Sequence, residues 1–240
     1  MEEKKTNLFI YGLKKGIPIA LAYLAVSFAF GVMMKSGGLT PLTLTIMSLL
    51  NFSSAGELAG AKMILEVASY FEIFITVLFI NLRYALMSIS LSQKISSDIP
   101  RWKRLIMSFG ITDENYALMI SEEKEINLSY VLGLTTITLF SWVLGTLLGS
   151  LGANIFPERV LFALNIALYA MLIAIITPDA KKNYKILIVI LIAISLSCVF
   201  YYVPVIKEIG LGFKIIISSF IASIVGAFFF MIKSNKEEDE

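Results

Sequence analysis

Three short stretches of this chain place polar side chains among residues that are otherwise apolar. The first is Asn51-Phe52-Ser53-Ser54-Ala55-Gly56-Glu57-Leu58-Ala59-Gly60-Ala61-Lys62, where one carboxylate sits among glycine, alanine and serine. The second is Asn81-Leu82-Arg83-Tyr84, and the third is Thr112-Asp113-Glu114-Asn115 with Gly110 just before it. Together they hold groups of both charges, which in a water-poor cavity could receive an anionic and a cationic group. Arg83, or a helix end near Thr112, suits a carboxylate. Asp113, Glu114 or Glu57 suits an ammonium, and Asn81 and Tyr84 add hydrogen-bonding groups beside them. These are the candidate substrate-binding residues. The pattern holds no nucleophile with its base, no phosphate loop and no metal cluster, so neither a catalytic residue nor a cofactor is expected.

The elements that carry these groups follow from spacing. Gly110 suits a helix end and Thr112 or Asp113 an N-cap, which predicts two half-helices meeting near Thr112. Half-helix N-termini expose free N–H groups and a positive dipole end, which hold anionic substrate groups in transporters. Arg83 is the thirteenth residue from Phe71, about 18 Å along a helix, too deep to reach either surface easily. It must face a partner or water. Helical spacing sets Thr76, Arg83 and Ser90 on one stripe and Asn81, Tyr84 and Ser88 nearly opposite. A charge inside a membrane costs roughly 2.5 to 3.5 kcal/mol on insertion scales unless paired or wet. A structural reading therefore stands beside the binding one, with Arg83 locked to Glu57 or Asp113, or Glu57 paired with Lys62.

The setting is a membrane. Of 240 residues, 58% are hydrophobic and 16% charged, with a mean hydropathy of +0.82, whereas soluble domains carry about 25% charged residues. The chain has no histidine and one cysteine, Cys198, which excludes a histidine triad and an internal disulfide framework. Its net charge of +2 is too even to suggest a nucleic-acid partner.

Six stretches are long and apolar enough to cross about 30 Å of hydrocarbon: residues 16–34, 71–93, 128–151, 160–177, 186–204 and 215–232. Two more, 41–67 and 105–121, are interrupted by small or charged residues. If these two enter and leave on the same side, 14 of the 20 basic residues gather on one side, the cytoplasmic side by the positive-inside rule. That set includes the loops 94–104 and 178–185, Lys124 and both ends of the chain. The expected fold is thus an all-α polytopic membrane helix bundle, one transmembrane domain with about six full spans and two broken or re-entrant elements. Eight full spans is the alternative. Residues 1–15 and 233–240 are expected to be cytoplasmic. Gly145 and Gly149 mark a surface for close helix packing, read as available to a second chain. No internal repeat is visible in the sequence.

From residue 12 to 120 the chain resembles the AzlC-type branched-chain amino acid permeases, the large subunit of a two-component bacterial exporter. The resemblance rests on Gly16-Ile17-Pro18 opening the first span, Phe28-Ala29-Phe30-Gly31 closing it and Met47-Ser48 leading to Phe52-Ser53-Ser54-Ala55. It continues in Asn81-Leu82-Arg83 and in Thr112-Asp113-Glu114 with Ala117-Leu118. It implies a multi-pass protein of the bacterial plasma membrane that exports neutral amino acids, with a small hydrophobic AzlD-type partner subunit. Two positions depart from the family: Glu57 stands where glutamine is usual, and Tyr84 where histidine is. Glu57 brings a group able to carry a proton. The alternative functions are an assembly subunit whose charges only pair with one another and, with less support, a membrane-embedded enzyme.

Overall fold

The structure is a computed structural model that describes residues 7–96, 98–123, 125–203 and 209–230. Ten α-helices and no strands occur among them: α1 (Leu8–Ser36), α2 (Pro41–Leu50), α3 (Ser54–Leu65), α4 (Tyr70–Ser92), α5 (Arg101–Phe109), α6 (Asp113–Ser121), α7 (Leu128–Gly152), α8 (Glu158–Lys182), α9 (Tyr184–Tyr202) and α10 (Leu211–Phe229). A single 3-10 turn, Ala153–Ile155, follows α7. Five helices are long and apolar enough to span a bilayer: α1, α4, α7 with its turn, α9 and α10. The 25-residue α8 covers the remaining expected span. The helix starts are written locally. Side chains of Asn7, Thr40, Ser53, Ser69, Thr112, Asn127 and Asn183 each accept a hydrogen bond from a first-turn N–H, satisfying groups that the helix leaves unpaired.

Both interrupted stretches are broken helices that turn back. The first breaks at Asn51-Phe52-Ser53 between α2 and α3, the second at Gly110-Ile111-Thr112 between α5 and α6. Arms of 9 to 12 residues rise about 14 to 18 Å, half the hydrocarbon thickness. Leu65, at the end of α3, lies against Gly37 before α2. Lys94, before α5, donates to the carbonyls of Ile120 and Glu122 at the end of α6 (2.5 and 2.6 Å). Each pair therefore leaves by the end through which it entered.

The chain follows one plan twice, in opposite directions. A span, α1, is followed by the pair α2–α3 from its far end; a span, α4, running the other way, is followed by α5–α6 from the opposite end. Each of these spans has a parallel companion. Along α1 and α7, Gly12 meets Tyr130 and Gly31 meets Thr146. Along α4 and α10, Glu72 bonds the Gly212 N–H (3.2 Å) and Phe79 lies 6.4 Å from Phe220. This inverted duplication escaped the sequence because its two copies share little beyond a break that ends in a hydroxyl cap, Ser53 or Thr112.

Several expectations need correction. Gly145 and Gly149 face α1, where a Cβ on either would run into the backbone of Leu24 or Phe28; they do not form a free surface for a second chain. Lys14 and Lys15 lie within α1, and Arg101, Lys103 and Arg104 within α5. The loop expected at 178–185 shrinks to Asn183, because α8 continues through Pro178 to Lys182. The expected cytoplasmic tail, Lys124, Lys207 and residues 1–6 lie outside the described residues.

This threading puts the α4–α5 loop and the α8–α9 junction at one end of the bundle and the turn after α7 at the other. In a Cys198→Ser background, Asp98→Cys and Asn183→Cys should resist an impermeant thiol reagent applied to intact cells, while Ile155→Cys, 80% exposed, reacts. Labelling of residue 98 and residue 155 from the same side would reject the arrangement.

Candidate functional site

The two breaks meet in the middle of the bundle. Ser53 caps α3 by accepting from the Gly56 N–H, and Thr112 caps α6 by accepting from the Asn115 N–H, both at 3.3 Å. Phe52 and Phe109 stack across the junction with ring centroids 6.3 Å apart. Tyr23 from α1, Tyr84 from α4 and Trp142 from α7 close the sides, and the walls are completed by Ser54, Asp113 and Glu114. The cavity between them is about 10 Å³, room for one water molecule, whereas ligand pockets run to about 300–1,000 Å³. The tips must part before a small molecule enters.

A continuous polar network joins the two breaks. Arg83 Nη1 pairs with Asp113 Oδ2 at 2.6 Å, and Arg83 Nη2 donates to the Tyr84 hydroxyl at 2.9 Å. Tyr84 donates to Ser53 Oγ (3.2 Å), Ser53 donates to Asn81 Oδ1 (2.7 Å) and Asn81 Nδ2 donates to Asn51 Oδ1 (3.3 Å). On the other side, Tyr23 donates to Glu114 Oε2 at 2.5 Å and sits 2.8 Å from the Thr112 hydroxyl. Arg83 Nε is buried with no partner, so the guanidinium retains donor capacity.

The electrostatics are asymmetric. Asp113 and Glu114 occupy the first turn of α6, where the helix dipole favours negative charge, and the Arg83 guanidinium pairs with the first of them. The first turn of α3 carries only Glu57, which is turned away from the cavity. The amides of Ser54 and Ala55 have no partner within that helix. An ammonium therefore suits the α6 side, and a carboxylate suits the α3 side or Arg83.

Of the residues singled out in the sequence, Arg83, Tyr84, Thr112, Asp113 and Glu114 come together here. Asn81 stands behind Ser53. Glu57 is elsewhere: its oxygens meet Ser48 Oγ at 2.5 Å and the Trp142 indole N–H at 2.7 Å. It pairs with neither Lys62 nor Arg83, since Lys62 donates to the Tyr169 hydroxyl at 2.5 Å. The expected stripes of α4 are also rearranged. Neighbours on a helix are only about 100° apart, so Tyr84, which lines the cavity, also reaches Arg83, whose guanidinium bonds its hydroxyl and pairs with Asp113. Thr76 lies against Gly212, and Ser90 bonds Tyr116 at 2.9 Å. The sequence reading missed Tyr23, Phe52, Ser53 and Trp142. The available signal was an aromatic ring with a polar atom in the middle of an apolar span, where that atom needs a partner.

The whole cavity, from Tyr23 to Trp142, lies within residues 18–156, which match the AzlC protein family. An uncharacterized membrane protein of Archaeoglobus fulgidus is 31% identical over 75% of this chain and 80% of its own length. The inner membrane protein YgaZ of Escherichia coli is 26% identical over 61% of each chain. The branched-chain amino acid transport protein AzlC of Bacillus subtilis is 25% identical over 70% of this chain and 66% of its own length. The chain thus spans less than two thirds of the length of the two named bacterial relatives. No solved structure matches it. The family and the transport relative point to membrane transport, and with its broken-helix cavity inside the matched region, the chain belongs to the AzlC protein family.

Proposed function

We propose that this chain is the large subunit of a secondary transporter that exports branched-chain or similar neutral amino acids by alternating access, together with a small hydrophobic AzlD-type partner. The carrying observation is the meeting of two half-helix N-termini from opposite ends of the bundle around Arg83, Asp113 and Glu114. Transporter sites near the bilayer midplane are built in this way. The zwitterion's carboxylate is received by the α3 amides or Arg83, its ammonium by Asp113 and Glu114, and its aliphatic chain by Phe52, Phe109 and Trp142. The proposed substrate-binding residues are Asn81, Arg83, Tyr84, Thr112, Asp113 and Glu114; Glu57, the seventh expected from the sequence, is turned away from the cavity onto Ser48 and Trp142.

Direction finds support in a second, wider cavity. It measures about 1110 Å³ and is lined by Tyr11, Lys15, Lys103, Glu122 and Tyr130 at the end of the bundle where α1 begins. The basic residues gather at that end, which the charge rule places in the cytoplasm. A cytosolic substrate would approach there.

One observation favours the assembly-subunit reading: Arg83 and Asp113 already pair with each other. Efflux separates the two. Cells or liposomes preloaded with labelled leucine should lose it faster when this chain is present, and faster again with the partner. Full activity of the isolated chain would remove the partner from the proposal. Absence of leucine efflux with both subunits in the membrane would leave only the assembly role.

A further inference from the structure

We propose that Glu57 is the proton-carrying group of the transport cycle, so that the ion exchanged for the amino acid is a proton. The inference rests on the transport reading above and names its coupling ion. Glu57 is fully buried. The ion pairs among the described residues are Lys15–Glu122 and Arg83–Asp113, and neither includes it. Its partners are uncharged: Ser48 Oγ at 2.5 Å from Oε1, and the Trp142 indole N–H at 2.7 Å from Oε2. Ser48 Oγ lies in turn 2.7 Å from Thr146 Oγ1.

A hydroxyl has one hydrogen to donate, so two arrangements satisfy this row of atoms. Around a carboxylate, Thr146 donates to Ser48 and Ser48 donates to Glu57. Around a carboxylic acid, Glu57 donates to Ser48, Ser48 donates to Thr146, and Thr146 turns to a helix carbonyl one turn back. The indole N–H donates to the second oxygen in both. The row accepts either protonation state by reversing, as a group that gains and loses a proton in each cycle requires.

Position links this chemistry to the cavity. Glu57 lies one turn beyond the Ser53 cap, and Trp142, which holds its carboxyl, lines the cavity and packs edge-on against Tyr23 with centroids 5.2 Å apart. Ser48 is on α2, Glu57 on α3, and Trp142 and Thr146 on α7, so the carboxyl clasps both arms of the first broken pair to α7. A charge left there without a counterion is heavily penalised unless water enters. Losing the proton therefore favours states in which the tip has parted from α7, and regaining it favours the clasp. Each cycle releases one proton to water on one side and takes one from water on the other, as one amino acid moves the opposite way.

Titratable groups on the surrounding helices are turned elsewhere. Tyr23 on α1 bonds Glu114, and Arg83 on α4 bonds Asp113 and Tyr84. Lys62, further along α3, bonds Tyr169 of α8. Lys214 on α10 is two residues from Gly212, which meets Met63, and so lies nearly opposite that contact on the helix. The α2 sequence has no titratable residue, and that of α7 has only Tyr130 near its start.

The test uses everted membrane vesicles from cells expressing the full chain with its partner, labelled leucine as the probe, and an imposed gradient with the acid inside. Glu57→Gln keeps an oxygen for Trp142 and a donor for Ser48, as the acid form does. Wild-type vesicles should accumulate leucine, up to about tenfold for each pH unit with one proton per leucine, and the variant should lose that response while still exchanging leucine at zero gradient. If Glu57→Gln fails to accumulate in the membrane, Thr146→Val, which removes the reversing hydroxyl, should slow gradient-driven uptake more than exchange. Equal response to the gradient in wild type and Glu57→Gln would overturn the proposal, as would wild-type leucine flux that ignores the gradient. No leucine flux in wild type under any condition would overturn the transport reading and this inference with it.

Discussion

Arg83→Ala should nearly abolish leucine export and also lower the amount of protein in the membrane. The guanidinium is the cation paired with Asp113, and its loss leaves Asp113 and Glu114 as two carboxylates at the start of one helix. Removing one member of a buried pair costs about 3 to 5 kcal/mol. With side-chain exposures of 33% for Arg83 and 19% for Asp113, solvent lowers this to about 2 or 3 kcal/mol. Asp113→Asn should be milder on abundance, because Arg83 keeps the Tyr84 hydroxyl, yet equally severe on export. Arg83→Lys preserves charge but loses the fork that reaches Asp113 and Tyr84 together; export should fall while abundance holds. Quantitative blotting beside leucine efflux checks all three. A double variant, Arg83→Ala with Asp113→Ala, should regain abundance but not export. Wild-type export from that double variant would mean that the pair is only structural.

Bulk introduced between α1 and α7 should have the other large effect. A Cβ at Gly31 would run into the Thr146 carbonyl, and one at Gly149 into the Phe28 carbonyl. Neither obstacle is a side chain able to turn aside. Overpacking costs about 1 to 3 kcal/mol even where side chains can adjust, so Gly149→Leu and Gly31→Leu should leave no folded protein to extract in mild detergent. Gly60→Ala is the control, since its nearest new contact would be the Val77 side chain at 3.4 Å. Monodisperse protein from Gly149→Leu, by size-exclusion chromatography with fluorescence detection, would contradict the packing.

These two predictions draw on features of unequal visibility in the sequence. The spans follow from hydropathy, and the second break was legible because Gly110 and Thr112 carry stop and start chemistry two residues apart. Arg83, Asp113 and Glu114 stood out because charge in an apolar run demands a partner or water. Their shared location could not be read, because it depends on how far each broken arm returns. Tyr23 and Trp142 looked ordinary in spans made of large apolar residues. The direction of Glu57 was hidden for a related reason: α3 has neighbours on nearly every side, so its sequence has no polar face to show which one the carboxyl meets. Gly145 and Gly149 announced a close approach, but a glycine pattern does not say whether the approaching helix belongs to the same chain.

The helix α7 also governs when the protein can mature during synthesis. Asn115 bonds Thr138, Gly110 lies against Thr135, Glu57 bonds Trp142, and Ser48 reaches Thr146. Both broken pairs thus anchor their polar residues on a helix that leaves the ribosome after them. Their arms are too short to span a bilayer independently, and the buried polar groups near their tips lack these partners until residue 146 has been inserted. Biogenesis is therefore ordered: α1 and α4 enter first, the two broken pairs remain unsettled, and arrival of α7 locks both at once.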